Sequence, residues 1–177
     1  MEYVYEFTNK RKLTKTEFLK WFQKKAIYII RKFRIISDGD VIVYENKRDF
    51  RGVVLEDILK MFSEKANVGI VKNKYNKKTT KTAISSTIDT EADKFIHKLI
   101  KGNAENLKNL APVHKKIIKP LYLFLDKEVL LYAKLKNLKF KKTEEKKDKL
   151  SRFIDELEKN HPEIKRAIVN SYLELFF

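Results

Sequence analysis

One short run decides what kind of sheet this chain can build. Asp40-Val41-Ile42-Val43-Tyr44 is apolar and β-branched, without alternation. A strand with one wet face alternates apolar with polar residues, whereas an unbroken apolar run suits a strand covered on both faces, as in a parallel sheet. The flanking sequence supplies helices for the crossovers. Thr14-Lys15-Thr16-Glu17 is a capping box, with a Thr oxygen for the third helical amide and a Glu that reaches back to the cap amide. The helix it opens places Phe18, Phe22, Ile29 and Phe33 on one face and stops near Ser37-Asp38-Gly39, where glycine permits a turn. Beyond the strand, a polar turn from Glu45 to Asp49 leads into a helix through Val53, Val54, Ile58, Leu59 and Phe62.

The alternation continues. Residues 67–71, 82–86 and 116–121 read as three further strands, and residues 3–7 as a short N-terminal one. A helix over 87–100 carries Asp89, Thr90 and Glu91 at its positive N-terminal end and is closed by Gly102. A short helix over 104–110 follows. Later come a helix from Asp126 with Val129, Leu130, Tyr132, Ala133 and Leu135, a charged helix over 143–160, and a last helix opened by Pro162. Strands alternating with helices predict a mostly parallel α/β sheet with helices on both faces. The link between the second and third strands is the exception. It has about ten residues and no helix, where a parallel crossover normally takes a dozen or more. An antiparallel hairpin, or loss of the 67–71 strand, is the alternative there.

Composition narrows the function classes. With 177 residues, 43% of them hydrophobic, the chain holds one domain and a real core. No apolar run approaches the ~18 residues of a membrane span, so no membrane partner and a cytoplasmic location are expected. The chain has no cysteine, which excludes disulfides, thiolate zinc sites, Cys-ligated iron–sulfur clusters and cysteine nucleophiles. His97, His114 and His161 are far apart in sequence, and a zinc site would need all three plus a carboxylate, so no metal is expected. Lys+Arg number 40 against 24 Asp+Glu, a net charge of +16. An excess of this size points to a polyanionic partner such as RNA; the competing reading is a Lys-rich solvated surface, a trait also found in hyperthermophile proteins.

Ordered stretches of the chain also match a known pattern. They are the basic helix Phe18-Leu19-Lys20-Trp21-Phe22-Gln23-Lys24-Lys25 to Phe33, the strand Gly39-Asp40-Val41-Ile42-Val43, and the helix start Ile88-Asp89-Thr90-Glu91-Ala92. Leu99-Ile100-Lys101-Gly102-Asn103, Ile118-Lys119-Pro120-Leu121, Asp126-Lys127-Glu128-Val129 and Tyr132-Ala133 follow, then Phe153 to Leu157, His161-Pro162 and Asn170-Ser171. In order and spacing, over residues 14–66 and 84–174, they resemble the PP-loop ATP-pyrophosphatases that thiolate tRNA, in the archaeal and eukaryotic 2-thiouridine synthetase branch. The resemblance implies a reduced Rossmann-like (adenine-hydrolase-like) three-layer α/β/α domain over residues 37–177. It is preceded by a hairpin remnant and basic helix over 1–36, the whole forming one compact unit.

The departures bear on activity. The family's phosphate loop reads Ser-Gly-Gly-x-Asp-Ser, and its glycines let backbone amides wrap a pyrophosphate. Here Glu45-Asn46-Lys47-Arg48-Asp49-Phe50 stands in that place. The family's catalytic cysteines and zinc ribbons have no counterpart in a chain without cysteine, and the family's central region is replaced by roughly residues 72–81. Of the family's acidic pair, Asp89 is kept and Thr90 replaces the other member. The expectation is therefore a protein that is not an enzyme and carries no cofactor: a non-catalytic paralogue that binds RNA (tRNA first), an active paralogue subunit, or both. The family's eukaryotic enzyme pairs an active subunit with a degenerate one. Self-association is left open.

Two surfaces are candidates for RNA phosphates, which point charges suit. One is the first long helix with Lys20, Lys24, Lys25, Arg31, Lys32 and Arg34; the other is Lys72, Lys74, Lys77, Lys78 and Lys81, with Tyr75 available to stack on a base. A solvated face is the alternative for each. A different class of function, a nucleotide sensor or enzyme with an altered mononucleotide site, would use Lys47, Arg48, Asp49, Asp89 and Lys119. A ligand-free structural module is the third possibility.

Overall fold

The computed structural model describes residues 2–45, 47–142 and 147–176. A hairpin of β1 (Tyr3–Glu6) and β2 (Lys12–Thr14) precedes α1 (Lys15–Lys32) and β3 (Val41–Tyr44). Then come α2 (Phe50–Ser63), β4 (Gly69–Lys72), β5 (Lys81–Ala83) and α3 (Ile88–Ile100). A 3₁₀ helix (Ala104–Leu110), β6 (Val113–His114), β7 (Ile117–Ile118), α4 (Asp126–Leu135), α5 (Lys149–Asn160) and α6 (Ile164–Phe176) complete the chain. Among the described residues, β4-β3-β5-β7-β6 form a five-stranded sheet, parallel except for β6 at its edge. The architecture is the expected three-layer α/β one.

Ile42, Tyr44, Ala83 and Ile118 project from the sheet into one buried cluster with α1, α2 and α4. Phe22 of α1 has no exposed surface and stacks on Phe124 and Tyr132, with ring centroids 4.0 Å and 4.1 Å away. Truncating such a ring to Ala costs ~3–5 kcal/mol. The remaining helices form the other layer, where α3 runs along α6 and Phe95 meets Tyr172 edge-on at 5.5 Å. The capping box forms as expected: Glu17 accepts from the Thr14 amide at 2.8 Å, and the Thr14 oxygen faces the Glu17 amide.

The mostly parallel reading holds where the hairpin was the alternative: β4 and β5 both run parallel to β3, on its opposite edges. The Asn73 amide bonds the Tyr44 carbonyl at one end of β3 and the Thr80 amide bonds Val41 at the other, each at 2.9 Å, so residues 73–80 return along its length. A loop of this size reaches ~26 Å at full extension, twice the ~13 Å of a four-residue strand, and no crossover helix is needed. The strand expected over 116–121 is only two residues long, and the unforeseen β6 pairs antiparallel with it. The charged helix starts at Lys149, where Asp148 accepts from the Ser151 amide at 2.9 Å. Glu144 and Glu145, which the sequence placed on that helix, lie outside the described residues, as does Asn46 of the turn after β3.

Candidate functional site

Ligands of open α/β sheets gather beyond the carboxyl ends of the parallel strands. There, the turn after β3 and the 84–87 segment after β5 enclose a cleft of about 410 Å³, lined by Lys47, Asp49, Arg51, Ile84, Ser85, Ser86, Thr90 and Lys94. Asp49 caps α2, accepting from the Gly52 amide at 2.7 Å. Arg51, buried, grips Asp126 on α4 with two donors, its Nε lying 2.7 Å from Oδ1. The Thr87 hydroxyl donates to the same oxygen at 2.7 Å, and the Asp126 amide donates to Asp89 at 2.7 Å. Lys165 then holds Asp89 at 2.7 Å. Burial opposes the Lys165 charge, yet Asp155, Asp89 and Glu158 around it raise its pKa well above the ordinary lysine value.

The opposite wall is built around a buried carboxylate. Glu91 accepts from the Ser86 hydroxyl, from Lys94 at 2.9 Å and from Lys119 at 2.7 Å. Lys119 is only 2% exposed and also donates to the Leu110 carbonyl at 3.0 Å. Burial pushes its pKa down, against the pull of Glu91. The cleft thus offers Lys47, Lys94 and hydroxyl groups to a small anion. It offers no glycine nest: Arg48 itself holds the left-handed turn position, at φ 59°, a conformation that costs a non-glycine residue ~1–2 kcal/mol.

Of the residues the sequence suggested for a nucleotide, Lys47 and Asp49 line this cleft, and Arg48 lines its neighbour. Asp89 and Lys119 are engaged in the internal networks above. Arg51, Ser86, Lys94 and Asp126 were not foreseen. Arg51 sits in the first turn of a helix beside the loop and was open to inspection, but Asp126 is 75 residues away and carries no local signal.

The basic surfaces divide in the same way. Lys20, Lys24, Arg31, Lys32 and Arg34 are exposed, with Tyr28 (55% exposed) among them and the Lys32 ammonium 5.7 Å from its ring centroid. Lys74, Lys77 and Lys78 are exposed beside Tyr75, and Lys72 pairs with Glu56 at 3.1 Å. Lys25 and Lys81 are corrections. Lys25 turns inward to Glu128 at 3.2 Å, with Trp21 and Phe124 ring centroids 4.8 Å and 4.6 Å from its ammonium. Burial lowers its pKa to about 8. Lys81 lies in register with Ile42, on the face that α1 covers, and binds Asp40 at 2.7 Å and the Ile35 carbonyl at 2.9 Å. Among the described residues no three His, Asp or Glu side chains group as a metal site, and no helix is long and apolar enough to cross a membrane.

No family model and no curated protein matches the chain. A solved structure does: the U34-tRNA thiolase NcsA from Methanococcus maripaludis with its [4Fe-4S] cluster. It superposes with a TM-score of 0.76 at 18% sequence identity, over 98% of this chain and 84% of that one. The residues here do not fit such a cluster, because the chain has no cysteine to bind it. What carries over is the frame: this chain has the three-layer α/β fold of that tRNA thiolase.

Proposed function

We propose that this protein is a non-catalytic relative of the tRNA-thiolating PP-loop ATP-pyrophosphatases, binding tRNA, an active paralogue, or both. The observation that carries the reading is the turn after β3. Asp49 caps α2 there, and with Asp49 matched to the family's loop aspartate the sequence puts Asn46 and Lys47 in place of the glycines whose amides would wrap a pyrophosphate. Without cysteine the chain has no sulfur carrier of its own. Its charge of +16, with exposed cations along α1, suits a phosphate backbone. The test is binding of native tRNA at two salt concentrations, together with assays for 2-thiouridine formation and for pyrophosphate release from ATP. Binding without turnover is the expected result. Turnover by the purified chain would overturn the non-catalytic part, and a monomer that ignores tRNA and paralogue at low salt would overturn the rest.

The cleft of about 410 Å³ favours a second reading, a nucleotide sensor. Lys47 and Lys94 would hold the phosphates as side chains. A thermal-shift assay with ATP, ADP and AMP separates the two, since a ligand at 100 times its dissociation constant adds ~2.7 kcal/mol of stability. Stabilisation by a nucleotide, without tRNA binding, would favour the sensor.

A further inference from the structure

A second cleft, of about 530 Å³, opens on the other side of the turn after β3. Five cations line it, Arg48, Lys60, Lys72, Lys139 and Lys141, against two carboxylates, Glu56 and Asp57. The carboxylates are already engaged. Glu56 is shared between Lys60 at 2.7 Å and Lys72 at 3.1 Å, so one charge answers two. Asp57 accepts from the Tyr132 hydroxyl at 2.8 Å and faces Lys136 at 3.5 Å. Lys139 and Lys141 are exposed and have no ion pair among the described residues. They flank Phe140, whose ring packs edge-on against Phe50 with centroids 6.4 Å apart. The segment is also tied to the turn itself, the Lys141 amide donating to the Arg48 carbonyl at 2.7 Å.

We propose that this cleft is a phosphate-backbone groove for an RNA strand, leading over the turn toward the Lys47–Lys94 cleft. The inference rests on the tRNA-binding reading above and adds a surface to it. An RNA strand fits better than a free nucleotide because exposed cations run on beyond the cleft. The cleft is an open groove, and Lys72 continues it into the exposed Lys74, Tyr75, Lys77 and Lys78 of the 73–80 loop. The left-handed backbone at Arg48 sends consecutive side chains apart, Lys47 to one cleft and Arg48 to the other. A strand held in the groove therefore lies against the wall the two clefts share.

Lys139→Gln/Lys141→Gln tests this, since neither side chain has an ion pair among the described residues. The probes are an unmodified tRNA transcript, ATP and inorganic phosphate, with melting as the fold control. Each lost phosphate contact removes about 0.7–0.9 from the slope of log affinity against log salt, so two remove about 1.4–1.8. Between 50 and 200 mM salt the variant should then lose about tenfold less affinity than the wild type loses. If wild type binds tRNA and the double variant matches it in affinity and slope, the groove is refuted and the tRNA reading stands. If wild type ignores tRNA, both fall. If the variant keeps tRNA but loses ATP or phosphate, the cleft is a small-anion site and the proposal is overturned.

Discussion

The ammonium of Lys25 on α1 lies 3.2 Å from the carboxylate of Glu128 on α4, a carboxylate with no exposed surface. Three further donors converge on Glu128: the Tyr5 hydroxyl at 2.9 Å, Arg166, and the Leu125 amide at 3.0 Å. Hairpin, α1, α4 and α6 thus meet on one charge. Glu128→Ala leaves Lys25 and Arg166 facing each other without their anion, and breaking a buried pair this way costs ~3–5 kcal/mol. Lys25→Gln should cost less, because Arg166 and Tyr5 still serve the carboxylate. Urea titration gives both values. Equal stability of Glu128→Ala and wild type would show that the cluster does not hold these elements together.

The exposed cations of α1 can be removed without touching that cluster. Lys20→Gln, Lys24→Gln, Arg31→Gln and Lys32→Gln together should flatten the salt dependence of tRNA binding by about 3 in log–log slope, if each makes one phosphate contact. Melting should fall by no more than a few degrees. Gln forms helix nearly as well as Lys and Arg, and losing Arg31 and Lys32 from the last turn costs ~0.3–1 kcal/mol each in dipole interaction. Lys25→Gln alone should leave the slope unchanged. A flat response to the quadruple variant would reduce this face to solvated surface.

Arg51 and Asp126 tie α2 to α4 beneath the candidate cleft. Arg51→Ala strands a carboxylate that, among the described residues, only Thr87 then serves through a side chain, at a cost of ~3 kcal/mol. Arg51→Lys should recover only part of this, because an ammonium lacks the planar fork that meets both oxygens. Chemical denaturation of the two variants checks the order; a lysine variant as stable as wild type would mean that charge alone suffices.

His97 carries a pH dependence. Its Nε2 lies 2.7 Å from Asp148 and its Nδ1 2.7 Å from the Asp93 carbonyl, and the Asp148 hydrogen bond first, then that carbonyl, raises its pKa. A histidine whose folded pKa is raised adds stability that is fully present below its unfolded value of about 6.5 and lost as pH rises through the folded value. Asp148 is also the cap of α5. The melting difference between wild type and His97→Gln should therefore shrink from pH 6 to pH 8. A difference that does not vary with pH would remove His97 from the account.

Local chemistry made much of the frame readable. The Thr14–Glu17 box and the β-branched run of β3 act between neighbours or through burial on both faces, so residue types and spacing suffice to place them. Strand order was not readable, because nothing local states that β4 and β5 flank β3 rather than pair with each other; hydrogen bonds from the ends of the 73–80 loop to β3 accompany that arrangement. The candidate site divides the same way. Lys47 and Asp49 follow from their place after β3, but Asp126 reaches Arg51 only across the folded chain. The sharpest case is Lys24 beside Lys25. Both read as cations on a basic helix, yet successive helical residues point about 100° apart. That rotation leaves Lys24 in solvent and turns Lys25 onto Glu128, 103 residues later in the chain. Which of two equal charges is free for a ligand depends on where a distant carboxylate is buried, and tertiary packing alone decides that.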